Sequence, residues 1–245
     1  MRNLLVELRY NGARYHGYQI QKNAITITEV VQDAIESLLH AREPIVGCSR
    51  TDSKVHANSY FFNMKTEFKI PTHKFVYIMN NALPSDICVL SCKEVPLDFH
   101  SRYDCKGKEY IYRIYNATIK DPFQADLALL HKTHIDEKLL NDAAQVLVGM
   151  HDFTSFCSLG FKPGTPMTKT VEYINIYREG DFVYIKIKAD GFLYNMVRII
   201  VGTLLSINDG KIKPESLIDI MEKKDRTVAG KTAEPQGLYL NFIEY

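Results

Sequence analysis

The stretch TVEYINIYREGDFVYIKIKAD, residues 170–190, decides the fold class. Apolar and polar residues alternate along both arms, and Glu179-Gly180-Asp181 interrupts them midway, which is the pattern of a β-hairpin. Directly after it, GFLYNMVRIIVGTLLSIN (191–208) is apolar almost throughout and predicts a buried helix. Further on, PESLIDIMEKK (214–224) predicts a helix opened by Pro214, and GLYLNFIEY (237–245) a closing strand. Upstream, KEYIYRIYN (108–116) reads as a strand, and IDEKLLNDAAQVLVGM (135–150) as a helix capped by Asp136 and ending near Gly149.

The first hundred residues repeat this order. LLVELRY (4–10) predicts a strand, and TITEVVQDAIESLLHA (26–41) a helix with Thr28 as N-cap. NSYFFNMKTEF (58–68) and ICVLSCKEVP (87–96) predict strands on either side of a helix in KFVYIMNNALP (74–84). The chain therefore reads as a duplicated α+β unit with no linker between the copies. We expect two fused ferredoxin-like-derived lobes, residues 1–104 and 105–245. They are expected to share a continuous, mainly antiparallel sheet with helices on one face and a central active-site cleft.

Composition sets the outer limits. With 245 residues, 46% hydrophobic and 24% charged, the chain is an ordinary globular protein that needs no disulfide or metal staple. Its five cysteines are odd in number and form no Cys-x-x-Cys pair, which argues against a secreted disulfide framework and a zinc ribbon. No apolar run reaches the ~20 residues of a membrane helix, and Glu7 and Arg9 break the N-terminal apolar stretch, so a cytoplasmic protein without a signal peptide is expected. A net charge of +1 leaves RNA open as a partner only if the positive charge is local.

The chemistry concentrates in Gly47-Cys-Ser-Arg-Thr-Asp-Ser-Lys-Val-His-Ala57, where Asp52 stands among Arg50, Lys54 and His56. A carboxylate flanked by cations stays ionised, as a nucleophile or base requires; the same residues also fit a solvated loop with incidental ion pairs. His56 has no second ligand at a metal-binding spacing, so no metal is expected.

This loop resembles the Gly-Arg-Thr-Asp-x-Gly-Val-His motif of the tRNA pseudouridine synthase A family. Similar text follows in family order: Tyr10-Asn-Gly, Tyr15-His-Gly-Tyr-Gln19, Asn81-Ala-Leu-Pro-Ser-Asp86, Phe99-His-Ser-Arg102, Lys108-Glu-Tyr-Ile-Tyr112, His151-Asp-Phe-Thr-Ser-Phe156, Gly191-Phe-Leu-Tyr-Asn-Met-Val-Arg198 and residues 232–240. The resemblance implies an isomerase converting uridine to pseudouridine at positions 38–40 of the tRNA anticodon stem-loop, working as a homodimer without organic cofactor. It implies Asp52 as the essential carboxylate, Tyr110 as the residue stacking on the target base, and Arg198 as the partner holding the aspartate ionised. Arg50, Lys54, His56 and Arg102 are the residues expected to bind or position RNA. Ser49 and Lys54 replace two family glycines, Tyr18 replaces a tryptophan, and Glu234 interrupts a Thr-Ala-Pro-type turn, so the loop is expected to follow a slightly different path. Two other readings remain: a non-catalytic tRNA-binding or tRNA-folding paralogue, and a tandem ferredoxin-like RNA-binding module in which Asp52 has no special role.

Overall fold

Strands and helices alternate along the computed structural model, which describes residues 1–158 and 164–245. In chain order these are β1 (Arg2–Tyr10), α1 (Ile27–Leu39), β2 (Ile45–Gly47), β3 (His56–Thr66), α2 (Thr72–Ala82), β4 (Ile87–Val95), β5 (Gly107–Asn116) and β6 (Leu129–His131). They continue with α3 (Glu137–Ala144), β7 (Gly149–Asp152), β8 (Thr168–Glu179), β9 (Phe182–Ala189), α4 (Met196–Asn208), α5 (Ser216–Glu222) and β10 (Leu238–Glu244). The fold class is α+β, as expected.

Two compact units are present. The first holds residues Met1–Lys106 together with Tyr239–Tyr245. Its sheet runs β4-β1-β3-β10. The β1–β3 and β1–β4 pairs are antiparallel, and β2 joins β3 beside Met64 and Phe62. The last strand, β10, pairs with β3 in parallel, Tyr239 opposite His56 and Leu240 opposite Ala57. One face of β1 and β3 (Leu4, Val6, Leu8, Tyr60, Phe62, Met64) is buried, as are Val31 and Ile35 of α1 and Phe75 and Met79 of α2. That is the period-2 and period-3.6 burial expected of a sheet covered by helices. Thr26, not Thr28, caps α1: its extended backbone (φ −128) lets Oγ1 accept the Glu29 N–H, while Thr28 already lies inside the helix.

The second unit holds residues Gly107–Leu238, with an antiparallel run β5-β9-β8-β7 and β6 added to β5 in parallel. The hairpin turns at Gly180 (φ 58), as its sequence predicts. In α4 ten of thirteen residues are buried, the mark of a helix covered on nearly all sides. It starts at Met196, later than its apolar text begins. The α3 helix stops at Ala144, because the chain tightens into a short 3-10 turn and then leaves as β7 at Gly149 (φ 108).

The His151–Phe156 motif is structural in this unit. Asp152 accepts the Thr154 hydroxyl (2.6 Å) and amide (3.0 Å) and pairs with the Lys224 ammonium at 2.8 Å. Ser155 Oγ donates to Ile220 O and accepts Asp225 N–H. Burial opposes the ionisation of Asp152, but Lys224 and Thr154 outweigh it and hold the carboxyl below its usual range. A depressed folded-state value contributes stability above the unfolded carboxylate value of about 3.9, and that contribution is lost as pH falls through the folded value. Thermal melts of Asp152→Asn therefore show a lower Tm than the unsubstituted chain near neutral pH, and the gap closes as pH falls towards about 3.

Candidate functional site

In the first unit the family-like segments around Gly12 and at Tyr15–Gln19 meet at one place, the loop that carries Asp52. Two glycines let the chain approach it. A Cβ on Gly12 would lie 1.9 Å from Val55 O, and one on Gly17 (φ 90) would lie 2.6 Å from Thr51 O. Neither distance is tolerable, so only glycine permits this crossing. Backbone bonds then fasten the loop on both sides of Asp52: Tyr18 N–H donates to Thr51 O (3.2 Å), and Lys54 N–H donates to Tyr15 O (3.0 Å). Within the loop, Val55 N–H donates to Asp52 O. Thr51 is buried, its hydroxyl 2.9 Å from the Tyr10 phenol. Asp52 is half-buried, on backbone fixed at its flanks.

A tyrosine cluster underlies the loop. Tyr18 stacks on Tyr60 (4.2 Å, 27°), and Tyr10 lies tilted against the same ring at 5.8 Å. Tyr60 donates its hydroxyl to Ser49 O at 2.6 Å. Burial pushes the Tyr60 and Tyr18 phenols far above the ordinary value, so both remain protonated. Asp86 anchors the approaching segment: it accepts Tyr15 OH (2.7 Å) and Arg14 Nη2 (2.6 Å) through its carboxylate and Asn11 N–H through its main chain. Burial, then the bond to Asp86, pushes the Tyr15 phenol up to about 12.

Arg50 and Lys54 are exposed on this loop. His56 is 1% exposed; its Nδ1 accepts Gly12 N–H at 3.0 Å and its ring stacks on Tyr239 at 4.5 Å. An Nδ1 acting as acceptor puts the proton of a neutral imidazole on Nε2. The structure thus brings Arg50, Asp52, Lys54 and His56 together. Arg102 adjoins Ser101, which bonds Asn63, beside the Gly47 end of the loop and about 23 Å along β3, at roughly 3.3 Å per residue, from His56.

The two replaced glycines behave differently. Ser49 is not among the residues with positive φ, so glycine's freedom is not needed there. Lys54 does adopt the left-handed conformation, φ 64, which costs a side-chain-bearing residue ~1–2 kcal/mol. The loop therefore keeps a glycine-type turn and places a strained lysine in it. Lys54→Gly is expected to raise Tm by about 1–3 °C in a thermal melt, part of the relief being offset by glycine's freedom in the unfolded chain.

In the second unit Tyr110 lies on β5 opposite Ile187, 7% exposed, with its ring edge-on to Phe192 (5.1 Å, 87°). Arg198 stands in the first turn of α4, where a helix N-terminus disfavours a cation. It is held there by bonds from Nε to Ala233 O (2.7 Å) and from Nη1 to Asn195 Oδ1 (2.8 Å). The segment around Ala233 presses directly on α4. A Cβ on Gly202 would lie 1.7 Å from Lys231 O, and Thr203 Oγ1 accepts Gly230 N–H. Tyr112 OH donates to the main-chain oxygen of Glu234 at 2.6 Å, a bond that does not depend on which side chain residue 234 carries. The family-like text at 232–240 thus includes the strap that fixes Arg198.

Sequence reading alone did not single out Gly12, Gly17, Tyr60 or Asp86 as site residues. Gly12, Gly17 and Asp86 lie inside the motifs that carry the family resemblance, which is their signal in the sequence; nothing in the sequence marks Tyr60. Among the described residues no cluster of three or more His, Cys, Asp or Glu could hold a metal ion, and no helix is long and apolar enough to cross a membrane.

This is an α+β scaffold that fixes the loop carrying Asp52 in the first unit and one arginine at a helix start in the second. The tRNA pseudouridine synthase family profile matches residues 8–104 and 143–245. The chain is 44% identical to the tRNA pseudouridine synthase A of Thermoanaerobacter sp. (strain X514) over 247 residues, covering 100% of both chains. It is 41% identical to the tRNA pseudouridine synthase A of Clostridium acetobutylicum over 245 residues, again covering 100% of both. It is also 41% identical to the tRNA pseudouridine synthase A 2 of Clostridium tetani, covering 100% of this chain and 99% of the relative. One chain of the solved Cbf5-Nop10-Gar1 complex aligns with 83% of this chain and 53% of its own at 12% identity and a TM-score of 0.35, too loose to bear on the fold. The chain belongs to the tRNA pseudouridine synthase family. Enzymes of this family are isomerases.

Proposed function

We propose that this chain isomerises uridine to pseudouridine at positions 38–40 of the tRNA anticodon stem-loop, with Asp52 acting at the ribose C1′. The N1–C1′ bond breaks, the uracil rotates, and a C5–C1′ bond forms; the C5 proton is lost and N1 gains one, so nothing is added or removed overall. Asp52 needs to be ionised for this step whether it adds to C1′ or promotes elimination. Arg198 is the cation that keeps it so, and Tyr110 stacks on the target base. Arg50 and Lys54 contact phosphate, while Arg102 contacts RNA farther along. His56, being buried, acts by holding the Gly12 turn against the loop. The protein works in the cytoplasm as a homodimer.

The observation carrying this reading is that segments resembling one family's motifs converge on the backbone either side of Asp52, in a chain that relatives named tRNA pseudouridine synthase A match end to end. A carboxylate on backbone fixed at both flanks is preorganised for reaction at one atom. The test is to incubate the protein with tRNA transcripts carrying uridine at 38–40 and map pseudouridine. Product at those positions is expected; no product on any tRNA overturns the activity, and product only elsewhere overturns the position. A monomeric mass in light scattering overturns the dimer.

A further inference from the structure

The turn around Arg102 has a feature that the isomerisation itself does not use. Ser101 is buried, its N–H and hydroxyl both donating to Asn63 Oδ1 (2.9 and 2.8 Å) and its carbonyl accepting Tyr245 OH. Around this anchor, Tyr103 and Asp104 N–H groups donate to His100 O, His100 N–H donates to Asp104 Oδ2, and His100 Nδ1 accepts both Arg102 and Tyr103 N–H. On so fixed a turn the Tyr103 ring lies on the His100 imidazole (4.2 Å, 26°) and remains 77% exposed. Arg102 and Lys106 are exposed beside it. Of the neighbouring carboxylates, Asp98 and Asp104, the second is engaged by His100 N–H.

We propose that Tyr103, backed by His100 and flanked by Arg102 and Lys106, stacks on an unpaired nucleobase of tRNA at a second contact, at the Asn63 end of β3, about 20 Å along that strand from the His56 end where Asp52 O accepts the Val55 N–H. A rigid aromatic ring with one open face accepts any base with little ordering cost, and adjacent cations take up the phosphates. Counted in the 3′ direction from positions 38–40, about 20 Å is roughly six nucleotide steps of ~3.4 Å and reaches about position 44–46, past the target stem-loop, whereas the same count in the 5′ direction stays inside the loop; a comparison with the isolated hairpin decides between them. This inference rests on the tRNA reading above.

The test compares full-length tRNA with the isolated anticodon stem-loop hairpin as substrates for the unsubstituted protein, Tyr103→Leu and Tyr103→Phe. On full-length tRNA, Tyr103→Leu raises KM roughly fivefold to fiftyfold with kcat unchanged, while Tyr103→Phe, which keeps the ring, behaves as the unsubstituted protein. On the hairpin all three are alike. Equal KM values for the unsubstituted protein and Tyr103→Leu on full-length tRNA overturn the contact. A rise of the same size on the hairpin overturns its remote placement. Should no pseudouridine form on any tRNA, the activity fails separately, and gel-shift affinities of the same variants for full-length tRNA still decide the contact.

Discussion

Asp52→Asn is expected to reduce pseudouridine formation by roughly a thousandfold or more in kcat, as removal of an essential catalytic group does. The amide has the carboxylate's shape but neither its charge nor its capacity to stabilise or attack C1′. The loop itself stays in place, because it is held through main-chain atoms of Thr51, Asp52 and Lys54 and through the Thr51 hydroxyl, none of which the substitution alters. Stability falls by about 1–3 kcal/mol, roughly 2–10 °C in Tm for a chain of this size, because the Arg198 cation loses the carboxylate proposed as its partner. Single-turnover assays on one tRNA together with thermal melts check both parts. Full activity in Asp52→Asn removes Asp52 from the mechanism; lost activity with a collapsed Tm makes its role structural.

Gly12→Ala is the second large effect, and it reaches the chemistry without touching a reacting group. The new methyl would sit 1.9 Å from Val55 O and 2.7 Å from Val55 C, both backbone atoms, so no side chain can swing aside. The loop or the Asn11–Gly12 turn must move by more than an ångström, and the Gly12 N–H bond to His56 Nδ1 is strained with it. Overpacking of this kind costs about 1–3 kcal/mol, a Tm loss of roughly 3–10 °C. A displacement of ~1 Å at a catalytic group costs about a hundredfold in rate. Assays run well below the lowered Tm separate the two losses. Gly191→Ala is the control, since its added methyl would meet only the Lys169 side chain, at 3.9 Å. If Gly12→Ala matches that control in both rate and melting, the clasp does not position Asp52.

Elements whose signal is local were readable along the chain. The alternation through 170–190 became β8 and β9 with the turn at Gly180, and the apolar text after 191 became α4. The short strands β2, β6 and β7 were not readable, since three or four residues carry too little period to distinguish from loop. Asp52 stood out because its neighbours Arg50, Thr51 and His56 are adjacent in sequence. Asp86 did not, because its work is done on Tyr15 and Arg14, 71 and 72 residues away in the chain.

By itself the sequence determined the α+β class, the order of the longer elements and the family resemblance, all of which depend on residue type and short-range spacing. Only the tertiary structure decided that β10 returns to lie parallel to β3, that Gly12 and Gly17 let one segment cross the Asp52 loop, and that Ala233 O and Asn195 hold Arg198 at a helix start. It also places the Arg102 turn at the Asn63 end of β3, a strand's length from His56. The physical reason is common to all of these. A strand pairing, a missing Cβ or a bond to a distant carbonyl has its energy in a contact between residues far apart in sequence, and no local pattern records which partner each will meet.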